Sequence, residues 1–99
     1  MKKILIVSAF AVSSMFAHTA LMSCFDNGDN TITCEGGFSD GSSAKGVKFH
    51  LLQNGQSVLD GTFNEDSEFT FDKPEGDYEA QFDAGEGHKV TVKSSDIAE

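Results

Sequence analysis

Residues 77–92, DYEAQFDAGEGHKVTV, decide the fold. Tyr78, Ala80, Phe82 and Ala84 share one face of an extended chain, and Asp77, Glu79, Gln81 and Asp83 share the other. Alternation of period two marks a strand with one buried and one wet face. Gly85-Glu86-Gly87 then supplies a short turn with two residues free to take positive φ. Beyond it His88, Val90 and Val92 alternate with Lys89, Thr91 and Lys93, so the chain returns as a second strand. This hairpin sets His88 where turn meets strand, at the rim of a sheet and beside several carboxylates.

The same logic extends outward. Val47, Phe49 and Leu51 alternate with Lys48, His50 and Leu52, and Asn54-Gly55 follows at once, the strongest short hairpin signal. Leu59, Gly61 and Phe63 make the inward face of the next strand, 64–67 turns the chain, and Phe69 and Phe71 lie inward on another. Pro74-Glu75-Gly76 leads back into the opening stretch. After Ala20 no apolar residues recur at helical spacing. Six to seven short strands joined by Gly- and Asn-bearing turns predict an all-β chain, an antiparallel β-sandwich of prealbumin or immunoglobulin type. The chain has nine phenylalanines and no tryptophan, so phenylalanine is expected to fill the core. The loop at 39–46, SDGSSAKG, is the longest unstructured piece expected, and 94–99 reads as a loose tail.

The first residues are not domain. Lys2 and Lys3 precede an apolar run at 4–17 broken only by serines, and no acidic residue appears before Asp26. The run is shorter than the roughly 20 apolar residues that span a bilayer, so it reads as a secretory signal peptide. The expected division is a signal at 1–20, a sandwich domain at 21–93 and a tail at 94–99. Cleavage falls after Ala20 or after Ala17, and the second makes His18 the new amino terminus. An exported chain meets an oxidising, periplasmic compartment, where Cys24 and Cys34, the only cysteines, lie opposite each other across a hairpin turning at 27–30. A cross-strand disulfide follows. Leu21-Met22-Ser23-Cys24 also has the outline of a lipobox, but lipidation of Cys24 would leave Cys34 unpaired.

Charge narrows the partners. The chain carries seven lysines, no arginine and sixteen acidic residues, a formal −9. Losing Lys2 and Lys3 with the leader takes this to −11. Nothing here could neutralise phosphates, so nucleic acid is excluded, and an anionic lipid surface is repelled. Cations are the natural ligands of such a field, although acidity also serves solubility alone.

A resemblance bears on this. Residues 46–92 have the layout G-V-x-F…N-G…L-x-G-T-F-x-E-D-S-E-F-T-F…P-x-G-D-Y…D-A-G-x-G-H. This resembles the prealbumin-like, carboxypeptidase-regulatory-like β-sandwich. The D-A-G-x-G-H piece at 83–88, together with CxDNGDxTxTCEGGFSDGSS at 24–43, is similar to small periplasmic proteins that accompany bacterial nickel and cobalt uptake systems. The resemblance implies an auxiliary component or metal carrier acting beside a membrane metal permease.

Three histidines could serve such a role. Neutral imidazole suits Ni²⁺, Co²⁺, Cu²⁺ and Zn²⁺. His18, if exposed by cleavage after Ala17, offers an α-amine and an imidazole from one residue. His88 at the sheet rim could complete the set, with Asp83 or Glu86 as oxygen donors or as orienting groups. The plainer alternatives are a removed leader residue for His18 and a turn histidine bonded to backbone for His88. His50 lies on the wet face of its strand beside Lys48, a poor setting for a cation. Asp26-Asn27-Gly28-Asp29-Asn30 lacks the EF-hand glycine and glutamate and reads as a turn. No catalytic constellation or phosphate loop is present, and so small a chain has little room for a water-excluding pocket; an enzyme is not expected. The leading expectation is an exported accessory protein delivering Ni²⁺ or Co²⁺, with Cu²⁺ as a further ligand, to an uptake system. The alternative is a metal-free structural or interaction module of the periplasm or cell surface. Carboxylate-bearing edge strands favour a monomer.

Overall fold

A computed structural model describes residues 19–97, so His18 and the rest of 1–18 lie outside the described residues. The chain folds as seven strands: β1 (Ala20–Asp26), β2 (Thr31–Phe38), β3 (Lys48–Gln53), β4 (Gln56–Thr62), β5 (Glu68–Asp72), β6 (Glu79–Asp83) and β7 (Lys89–Lys93). They form two antiparallel sheets, one ordered β1-β2-β5 and the other β4-β3-β6-β7. The expected all-β sandwich is the observed architecture.

The first hairpin sets Cys24 directly across from Cys34, and the two form a disulfide with an S–S distance of 2.06 Å. Closing so short a loop contributes about 3 kcal/mol through the entropy of the unfolded chain. Carboxylates at and beside the turn at 27–30 hold its backbone, and Asp26 Oδ2 also accepts from Lys73 Nζ at 2.9 Å. Asp26 Oδ1 accepts from the Gly28 amide at 2.9 Å and Asp29 Oδ1 from the Thr31 amide at 3.1 Å, while Gly28 and Asn30 take positive φ. These oxygens make a turn, as the sequence suggested.

Phenylalanine rings fill the space between the sheets. Phe49 stacks on Phe69 with centroids 4.3 Å apart, Phe63 tilts against Phe82 at 5.3 Å, and Phe38 meets Phe82 edge-on at 5.5 Å. Such pairs add stability beyond the area they bury. Among the described phenylalanines Phe25 is the exception. It is 39% exposed, because Met22 and Cys24 take the inner face of β1. Two glycines make the ring packing feasible. A Cβ on Gly36 would lie 2.7 Å from Phe82 Cε2, and one on Gly61 would run into the ring of Phe69.

Two segments are better ordered than their composition suggests. Within 39–46, Ala44 is fully buried, its amide donates to Ser67 Oγ at 2.9 Å, and the Gly46 amide donates to Phe63 O at 2.9 Å. At the other end, Ser94–Asp96 is a 3₁₀ turn rather than loose tail. The Ser94 amide donates to Tyr78 O at 2.8 Å, its hydroxyl accepts from the Tyr78 amide at 3.2 Å, and Ile97 packs on the core.

Because the facing rings sit in a closed aromatic cluster and cannot retreat, Gly36→Ala and Gly61→Ala should each lose about 1–3 kcal/mol of stability. Urea denaturation checks this; an unchanged midpoint in either variant would show that the rings are free to move.

Candidate functional site

The β6–β7 turn is closed by backbone. The Ala84 amide donates to His88 O at 3.1 Å and the His88 amide to Gly85 O at 3.0 Å, with Gly85 at φ +106° and Gly87 at φ +79°. Glu86 and His88 are exposed at its tip and base. The His88 imidazole makes no hydrogen bond or ion pair among the described residues.

The amino-terminal end of the described chain lies at this same end of the sandwich. Ala20 pairs with Phe38, the Phe38 ring meets Phe82, and Phe82 pairs with Val90 one residue into β7. Thr19 is fixed there by two hydrogen bonds to Ser39: its amide donates to Ser39 Oγ at 3.1 Å, and its carbonyl accepts from the Ser39 amide at 2.8 Å. The edges of β1 and β7 approach each other, so the start of β1 and the β6–β7 turn occupy one corner of the molecule.

Asp83, expected near His88 as an oxygen donor, is engaged elsewhere. Its Oδ2 accepts from His50 Nε2 at 2.9 Å and its Oδ1 from the Gly85 amide at 3.0 Å. His50 Nδ1 is 2.7 Å from Asp60 Oδ1, which also accepts from Ser57 Oγ at 2.5 Å. One imidazole on β3 thus ties the flanking strands β4 and β6. Since both ring nitrogens face carboxylate oxygens, the doubly protonated ring satisfies both, whereas a neutral ring turns one lone pair on an anion. The hydrogen bond to Asp60, then that to Asp83, raises the His50 pKa above its ordinary value. Asp60 is held below the usual carboxylate range by Ser57 and then by His50, and Asp83 by His50 and then by the Gly85 amide.

This arrangement does not serve a metal. The two nitrogens of an imidazole point away from each other, so Asp60 and Asp83 flank the ring and do not converge on one ion. Among the described residues no group of three or more His, Cys, Asp or Glu side chains is placed to hold a metal ion. Of the four residues proposed from sequence, Glu86 and His88 share the turn, Asp83 is committed to His50, and His18 lies outside the described residues. No family model, curated protein or solved structure matches the chain.

The sequence around His50 hides its role, because its neighbour on the wet face two residues back is Lys48. The decisive groups come from the adjacent strands. Asp60 belongs to the same Asn54-Gly55 hairpin, but a regular register from that turn sets Leu59 rather than Asp60 opposite His50, and the pairing of β3 with β6 crosses a long connection that leaves no local signal.

The tie makes stability depend on pH. A raised imidazole pKa adds stability that is complete below the ordinary value of 6.5 and is lost as pH rises through the folded value. The lowered carboxylates add stability that is present above their ordinary 3.8 and lost as pH falls through their folded values. The urea midpoint should therefore decline as pH rises above 6.5, and His50→Gln should flatten that limb. An equal decline in the variant would assign the effect to other groups.

Proposed function

We propose that this protein is an exported, periplasmic metal-binding accessory protein that captures Ni²⁺ or Co²⁺, and Cu²⁺ where available, and passes it to a membrane permease. The observation that carries the reading is the shared corner. Thr19, the residue after His18, starts the sandwich beside the turn that presents an uncommitted His88 and Glu86. Thr19 and Ala20 belong to the sheet edge, so a leader cut after Ala20 would remove the first rung of β1, whereas a cut after Ala17 spares it. The second cut makes His18, one position before Thr19, the residue that bears both the α-amine and an imidazole. Two nitrogens from His18, one from His88 and a carboxylate oxygen from Glu86 would make a mixed nitrogen and oxygen set of the kind borderline divalent ions prefer. The surrounding −11 charge would concentrate cations there.

A second reading, a metal-free interaction module, is favoured by the exposed apolar side chains of the edge strands, Leu21 and Phe25 on β1 and Val58 and Leu59 on β4. Its lipid-anchored form is incompatible with the Cys24–Cys34 disulfide, which occupies the sulfur a lipid would need.

Calorimetric titration of the processed protein with Ni²⁺, Co²⁺ and Cu²⁺ should give one site with a Kd well below about 1 mM. His18→Ala and His88→Ala should each weaken it by about tenfold or more, ~1.4 kcal/mol, and His50→Gln should leave it unchanged. Absence of binding below millimolar concentrations removes the metal reading.

A further inference from the structure

The sandwich closes along its β1–β7 side and opens along the other. Gly36 on β2 faces Phe82 on β6, and Phe69 on β5 lies over Phe49 and Gly61, so β5 covers β3 and one end of β4. Both sheets therefore end on the same side, in the free edges of β4 and β5. Leu59 pairs with buried Leu51 and so lies on the inner face of β4, yet it is 40% exposed, because the three-stranded sheet does not reach over it. Val58 beside it is 54% exposed and sits in a β-bulge, the residue left over between the Leu51–Leu59 and Leu52–Ser57 pairs.

Edge strands are ordinarily guarded by lysines, prolines or inward charges. In β4, QSVLDGT, the bulge is one guard, but the strand has no lysine or proline, and its one charge, Asp60, is turned onto His50 and Ser57. From Leu59 to Thr62 the pairing with β3 is regular, so a straight row of backbone donors and acceptors faces outward there.

Charge selects the occupant. The open side carries Asp60 on β4, Glu65 and Asp66 in the connection to β5, and Glu68 and Asp72 on β5. Of the lysines, Lys45 lies 3.6 Å from Glu65, Lys73 just past β5 is 2.9 Å from Asp26, and Lys48 stands on β3 opposite Thr62 at one end of the β4 segment, whereas Lys89 and Lys93 belong to β7 at the far edge of the sheet. A second copy would bring its own formal −9 to this edge and be repelled.

We infer that the free edge of β4 accepts an extended cationic segment of a partner protein, added as a further strand, whose apolar residues cover Val58 and Leu59 and whose lysines or arginines face the acidic flank. Main-chain hydrogen bonds would supply affinity, and the alternating side chains specificity. The inference is independent of the metal reading, since it uses none of that reading's residues.

The probe is a blocked octapeptide alternating valine and lysine, with its valine–glutamate counterpart as control, titrated into isotope-labelled protein and followed by amide NMR. The valine–lysine peptide should shift Gln56–Thr62 resonances, slow amide exchange there and bind more weakly as salt rises. Val58→Lys should weaken it tenfold or more at an unchanged melting temperature, and the milder Val58→Thr should give an intermediate loss. Equal binding of the glutamate peptide, shifts centred on β1 or β7, no shifts at millimolar peptide, or self-association of the protein through β4 would each overturn the inference.

Discussion

The outer face of the four-stranded sheet depends on one imidazole held between two carboxylates. His50 ties β3 to β4 through Asp60 and to β6 through Asp83. Exposed ion pairs add little to stability as a rule, so the value of this one lies in what it organises. It gives two carboxylates of a strongly acidic chain a shared hydrogen-bond partner, turns Asp60 toward the middle of the outer face, and engages Asp83. Lysines could not substitute, because an ammonium on a flexible stem lacks two opposed donors fixed in one plane.

That arrangement exists only because of the bulge at Val58. A strict two-residue hairpin at Asn54-Gly55 begins with Gln53 opposite Gln56 and Leu52 opposite Ser57. Continued without interruption, it would set Leu59 across from His50 on the wet face and Asp60 across from Phe49 in the core. One extra residue shifts the register, returns Leu59 to the inner face and brings Asp60 to His50. The hydrophobic pattern and the turn disagree by one residue, and the bulge reconciles them.

What was legible in the sequence was whatever has a local period. The alternation at 78–84 and 47–52, the Asn54-Gly55 turn and the opposed cysteines led to strands, hairpins and a disulfide that the structure contains. Features set by distant pairing were not legible. Ala44 looks like any loop alanine until Ser67 and Phe63 hold its neighbourhood in place. Ile97 looks like part of a tail until the Tyr78–Ser94 hydrogen bonds bring it to the core. Phe25 looks like core until β1 is placed with Met22 and Cys24 inward. At the candidate site, the rim position of His88 followed from the Gly-Glu-Gly turn, but the partner of Asp83 lay across a sheet whose strand order no local pattern records.

The two described histidines thus differ: His50 is held between the protein's own carboxylates, and the His88 side chain has no hydrogen-bond or ion-pair partner among the described residues. Imidazole and amide NMR of the processed protein, before and after substoichiometric Cu²⁺, tests that division directly. The account predicts that His50 stays protonated on both nitrogens to higher pH than an ordinary imidazole and is unaffected by Cu²⁺, with paramagnetic broadening confined to His88, Glu86 and the first residues of β1. Broadening centred on His50, or spread evenly over the acidic surface, would contradict it.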